Sequence, residues 1–83
     1  MPPDDAELPT LVMKALYEVV PEAADVVLEP ADGLREQLDI DSMDILNFAI
    51  AIHARTGIDV PERDYVELES LDQTLAYLRK RKG

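Results

Sequence analysis

The sequence predicts a small all-α protein, a bundle of three main helices plus one short helix, with a long loop between the first and second main helices. Apolar residues recur at the i, i+3, i+4, i+7 spacing of an amphipathic helix. Proline and glycine stand where helices should start and stop, and no stretch alternates with the period of a strand. A chain of 83 residues makes a single domain, residues 1–83, with room for one modest core.

The first helix carries Leu8, Leu11, Val12, Ala15 and Val19 on one face. Asp4 and Asp5 suit its positive N-terminal end, Pro9 is tolerated only in a first turn, and Pro21 closes it. A long connection then runs from Pro21 to about Ile40, with Pro30 and Asp32-Gly33 as turn signals. Loops of this length are functional or anchored by their own side chains. The expected anchors are Val26, Val27, Leu28, Leu34, Leu38 and Ile40, with Leu34 to Leu38 forming one helical turn. The second main helix runs from about Ser42 to Arg55, ending at Thr56-Gly57, where glycine suits the position after a helix. Asp41 is its N-cap, and Asp44 completes a variant of the capping box. Pro61 opens the short helix, about Glu62 to Glu67. Ser70 and Gln73 form a capping box for the last helix, in which Leu71, Leu75 and Leu78 line one face. The run Arg79-Lys80-Arg81-Lys82 sits where a helix C-terminus favours cations.

The net charge of −10 is concentrated in the first half, where residues 1–41 hold eleven acids against Lys14 and Arg35. Phosphate backbones need a cationic face, so nucleic acid is excluded as a partner and a basic protein surface is the better complement. There is no cysteine, hence no disulfide framework, thiolate metal site or cysteine nucleophile. The opening MPPDDAEL lacks a secretion signal, and no apolar run approaches the ~20 residues needed to cross a bilayer. The expectation is a cytoplasmic monomer without stable membrane insertion.

The second main helix is apolar on two sides. Ile45, Phe48, Ala49 and Ile52 form one stripe, suited to the core; Met43, Leu46, Ile50 and Ala54 form another, roughly opposite. The surplus stripe is either covered by the long loop or exposed for a partner. It begins one residue after Ser42. A catalytic serine needs a base within hydrogen-bond reach, and His53, the sole histidine, lies roughly 16 Å along the same helix. Asp39, Asp41 and Asp44 fall out of the register of a calcium-binding loop. Ser42 thus reads as a non-catalytic attachment point, where an esterified phosphate would meet the anion-favouring start of a helix.

Leu38-Asp39-Ile40-Asp41-Ser42-Met43-Asp44 resembles the signature of acyl carrier proteins, in which Asp-Ser-Leu or Asp-Ser-Met opens the second helix. The helix order, the Val60-Pro61 step and the Leu68…Ser70-Leu71 entry to the last helix extend the resemblance over nearly the whole chain. The resemblance implies that a phosphopantetheinyl transferase attaches 4′-phosphopantetheine from coenzyme A to Ser42. It also implies that the arm carries acyl groups as thioesters, that acyl-loading and acyl-transferring enzymes are the partners, and that the chain is not an enzyme. Matched position by position, Asp41, Met43, Asp44, Leu46, Asn47 and Ile50 are the partner-recognition residues, and the core would shelter the acyl chain. Two departures stand out: Asp39 replaces a usual glycine, and Asn47, His53 and Ala54 replace usual glutamates. The weaker acidity points to a specialised fatty-acid, lipid or polyketide-type pathway. A competing reading is an unmodified acidic interaction module with the same fold. A membrane-surface helix built on Arg79 to Lys82 is a third.

Overall fold

The expected helices form, and the reasons are local. In a computed structural model, which describes residues 3–82, α1 spans Leu8–Val19, α2 Leu34–Leu38, α3 Ser42–Thr56 and α4 Leu71–Lys82. Two 3-10 segments, Pro21–Asp25 and Glu62–Leu68, complete the order, with no strand among the described residues. No helix is long and apolar enough to cross a membrane among those residues.

α1 has no side-chain cap. It grows out of a turn in which Leu8 N–H donates to the Asp4 carbonyl at 3.2 Å. Asp4 and Asp5 therefore precede its first turn, and Asp5 meets Lys82 Nζ at 3.0 Å. The buried face of α1 is Leu8, Val12, Ala15 and Leu16; Leu11 and Val19 flank it, half-buried. That face packs chiefly on α3, whose Ile45, Phe48, Ala49, Ala51 and Ile52 are buried as the core stripe requires. α4 closes the core with Leu71, Thr74, Tyr77 and Leu78, while Leu75 is half-buried. Its entry is half a capping box. Gln73 N–H donates to Ser70 Oγ at 3.1 Å, but the glutamine side chain accepts from the serine hydroxyl instead of from its backbone.

The long connection is anchored differently from the expectation. Val27 is 91% exposed and Val26 is exposed as well, so neither is an anchor. Leu34 is buried as expected, Val20 and Ala23 are buried in the valines' place, and Leu28, Leu38 and Ile40 are half-buried. The rest of the anchoring is polar. The Gln37 side chain accepts from Glu29 N–H at 2.7 Å and donates to the Glu29 and Asp32 carbonyls at 3.0 and 3.1 Å. Leu34 N–H donates to Glu69 O at 2.7 Å, and Asp72 N–H to Pro30 O at 3.0 Å, tying the loop to the entry of α4. Backbone groups inside a loop need such partners, which is what a valine could not supply.

The short helix is 3-10 instead of α, running to Leu68. The basic run at the end of α4 is partly engaged. Lys82 pairs with Asp5, and Arg81 donates to the Asp59 carbonyl at 3.2 Å. This leaves Arg79 and Lys80 as the exposed cations of that run outside these contacts, too few for a membrane-binding face.

Candidate functional site

The start of α3 is built by its flanking acids. Asp41 Oδ1 accepts from the N–H groups of Met43 at 3.0 Å and Asp44 at 3.1 Å, and Asp44 Oδ2 accepts from Asp41 N–H at 3.3 Å. The reciprocal capping box is complete. Asp39, just upstream, adopts the left-handed conformation (φ 53°, ψ 48°) in which glycine is usual and aspartate is tolerated. Gly57 ends the helix at φ 75°.

Ser42 is the first residue of α3, and its side chain is exposed, with no hydrogen bond among the described residues. Nothing in the fold uses the hydroxyl. Three of the donors at the helix start are already committed, because Met43 and Asp44 N–H serve Asp41 Oδ1 and Ile45 N–H serves the Asp41 carbonyl at 3.2 Å, which leaves the Ser42 N–H. A phosphate on Ser42 would find the dipole field and the N–H of its own residue, and would lie beside two carboxylates. The expected anion seat at the helix N-terminus is therefore filled by the protein's own aspartate. His53 is exposed, its Nδ1 3.9 Å from Asp59 Oδ1, and it faces that acid rather than Ser42.

Ser42 lies on the edge of an open cleft of about 630 Å³ between α2, the start of α3 and the 3-10 segment Glu62–Leu68. Ile40, Ile45, Val66 and Leu68 supply its apolar lining, while Arg35, Glu36, Tyr65 and Glu69 make it polar elsewhere. Of these, the sequence singles out Ser42, Ile40 and Ile45 as attachment point, loop anchor and core, and Leu68 only as part of the entry to the last helix. Tyr65, Val66 and Leu68 fall at neighbouring positions after Pro61, and a helix-face reading of that segment would have been the signal for them.

The surplus stripe of α3 faces solvent. Met43 is 60% and Ile50 58% exposed, and Asn47 and Ala54 are exposed. Leu46 and Asp44 are half-buried, and Asp41 is exposed. Met43, Leu46, Asn47 and Ile50 thus share one helix face at i, i+3, i+4 and i+7. Of the two alternatives for this stripe, cover by the long loop is overturned for Met43, Ile50 and Ala54.

Residues 10–78 match the protein-family model described as "Phosphopantetheine attachment site". The chain belongs to the acyl carrier protein family. An acyl carrier protein of Thermobifida fusca (strain YX) is 25% identical over 72 residues, covering 83% of this chain and 91% of that protein. A meromycolate extension acyl carrier protein of Mycolicibacterium aurum is 24% identical over 72 residues, 83% of this chain and 74% of its own length. Another, from Mycobacterium tuberculosis (strain ATCC 25618 / H37Rv), is 22% identical over the same share of this chain and 63% of its own. As an acyl carrier, the chain has 4′-phosphopantetheine as its cofactor. The local structure fits such a group. There is an exposed hydroxyl without a hydrogen bond among the described residues, beside a cleft that Ile40, Ile45, Val66 and Leu68 make partly apolar.

Proposed function

We propose that Ser42 is the residue that takes the 4′-phosphopantetheine arm, and that the chain is a non-catalytic shuttle for acyl intermediates. When bound, the arm supplies a terminal thiol on which an acyl group is held as a thioester. The observation that carries this reading is the division of labour at the start of α3. Asp41 caps the helix, so the Ser42 hydroxyl is free for modification without cost to the fold. The sole histidine cannot activate Ser42, since His53 is engaged toward Asp59 at the far end of the helix, and the flanking Asp41 and Asp44 are engaged in the capping box. The modifying chemistry thus comes from a phosphopantetheinyl transferase. Ile40, Ile45, Val66 and Leu68 offer apolar shelter in the adjoining cleft.

Asp41, Met43, Asp44, Leu46, Asn47 and Ile50 form the surface that acyl-loading and acyl-transferring enzymes read. Met43 and Ile50 give this surface an apolar centre, and Asp41 and Asp44 put its negative charge near the attachment point. Asn47, His53 and Ala54, all exposed, leave the rest of the helix without the acids a general fatty-acid synthase would use for steering. The reading is a cytoplasmic, monomeric carrier in a specialised fatty-acid, lipid or polyketide-type pathway. Relatives named for meromycolate extension support the lipid side of it.

The test is incubation with coenzyme A and a broad-specificity transferase, followed by intact-mass measurement. The wild type should gain one phosphopantetheine and Ser42→Ala none. An unchanged wild-type mass would favour the unmodified interaction module, and a modified alanine variant would move the site elsewhere.

A further inference from the structure

Two walls of the cleft beside Ser42 are α-helical, but the third, Glu62–Leu68, is a 3-10 segment that starts without a side-chain cap. Only Leu68 within it is buried. Short 3-10 runs have poorer hydrogen-bond geometry than α-helix, so this wall needs support from outside itself. It packs on α3 and α4, and α4 adds the polar support. The Tyr77 hydroxyl donates to Asp64 Oδ2 at 2.5 Å, next to Tyr65 and Val66 in the lining. One turn on, Arg81 reaches the Asp59 carbonyl, and its guanidinium carbon lies 5.8 Å from the Tyr77 ring centroid. Tyr77 is 9% exposed and the Asp64 side chain 25%, so the bond is largely shielded from water. A bond to an ionised acceptor in such surroundings is stronger than a neutral one on the surface.

We propose that Tyr77 and Asp64 are a positioning pair that holds the cleft wall in place, so that this bond sets how well a thioester-linked acyl group is sheltered. This rests on the carrier reading above. Tyr77 does not line the cleft and acts only through Asp64 and the residues that follow it.

Tyr77→Phe keeps the ring, its packing and the Arg81 stacking, and removes only the donor. Asp64→Ala removes the acceptor, whereas Asp64→Asn retains an acceptor oxygen. Each protein is first loaded with an octanoyl-phosphopantetheine arm by the transferase and the mass gain confirmed. The thioester is then challenged with hydroxylamine, which leaves the free arm thiol and octanoyl hydroxamate. Hydrogen exchange of the amides of residues 62–68 is measured on the unloaded proteins. Tyr77→Phe and Asp64→Ala should speed both exchange in this segment and thioester cleavage by about tenfold, the size expected for losing one charge-assisted bond. Asp64→Asn, which keeps a neutral acceptor oxygen but loses the charge, should fall between the wild type and Asp64→Ala, a graded order that a merely bulk-destabilising role would not predict. Cleavage or segmental exchange unchanged in Tyr77→Phe would overturn the proposal. A wild type that gains no mass would instead refute the carrier reading, before any variant is compared, and the sheltering role would fall with it.

Discussion

Replacing Asp41 by alanine removes both side-chain bonds that begin α3 and one negative charge from its positive end. Loss of such a cap costs about 1 kcal/mol, within a range of about 0.5–2. Loss of the favourable charge adds about 0.3–1 kcal/mol. Because Asp41 is exposed, water takes over the freed N–H groups of Met43 and Asp44, and no buried-donor penalty is added. The total is about 1–2 kcal/mol, which in a domain of this size lowers Tm by about 5–15 °C. Ser42→Ala removes an exposed hydroxyl without a partner, and alanine is the better helix former. It should shift Tm by no more than about 3 °C in either direction. The assay is thermal unfolding followed by circular dichroism at the helix band, on unmodified protein. If Ser42→Ala melts at or below Asp41→Ala, the serine holds the helix start, and the separation of structural and attachment roles at this site is wrong.

Leu46→Ala should cost well under the 2–5 kcal/mol of a buried leucine truncation, because Leu46 is half-buried, while slowing acyl transfer by partner enzymes; a full-sized fall in Tm would place Leu46 in the core. Asn47→Glu with Ala54→Glu should speed loading by a general fatty-acid-synthase transacylase, most at low salt, and equal rates across ionic strengths would show that the missing acids do not set partner choice. Adding His53→Glu should give less than its share, since the new carboxylate would face Asp59. Burial and the bond to Asp64 push the Tyr77 hydroxyl from 10.0 up to about 12. The folded state therefore holds this proton more tightly than the unfolded chain. The resulting stability is fully present below pH 10 and is lost as pH rises toward about 12. Urea unfolding between pH 9 and 11.5 should show a steeper loss in the wild type than in Tyr77→Phe, and parallel curves would contradict the bond.

What could be read from the sequence was what neighbouring residues decide among themselves. Asp41 with Asp44, Gly57 after Thr56, and the Ile45–Phe48–Ala49–Ile52 stripe depend on spacings of a few residues, and each appears in the fold as the spacing implies. Val26 and Val27 look like anchors only because apolar residues usually are; their exposure is set by the path of a loop tied at Pro30 and Leu34 to Asp72 and Glu69, more than thirty residues away. Gln37 and Tyr77 carry no local signal at all, since a glutamine that satisfies three backbone groups and a tyrosine that reaches Asp64 are products of tertiary proximity. The same holds for the site. The Ser42 hydroxyl could be singled out by its neighbours in the chain, but the cleft beside it needed Tyr65, Val66 and Leu68 brought across from another element.

The occupied start of α3 bears on how cargo would be handed over. With Met43 and Asp44 N–H turned toward Asp41, a phosphodiester on Ser42 would have few helix-end donors to hold it and would turn about the serine side chain. Its motion would be that of a hinge anchored at one point, with the carboxylates of Asp41 and Asp44 pushing it outward. For the acyl chain, leaving the cleft would then forfeit apolar contact around Ile40, Ile45, Val66 and Leu68. A partner docked on the adjacent helix face meets the acyl end at the high effective concentration of a short tether. Residence in the cleft and delivery outside it become two populations divided by a small apolar term, so a modest gain in contact within an enzyme tunnel is enough to draw the cargo across.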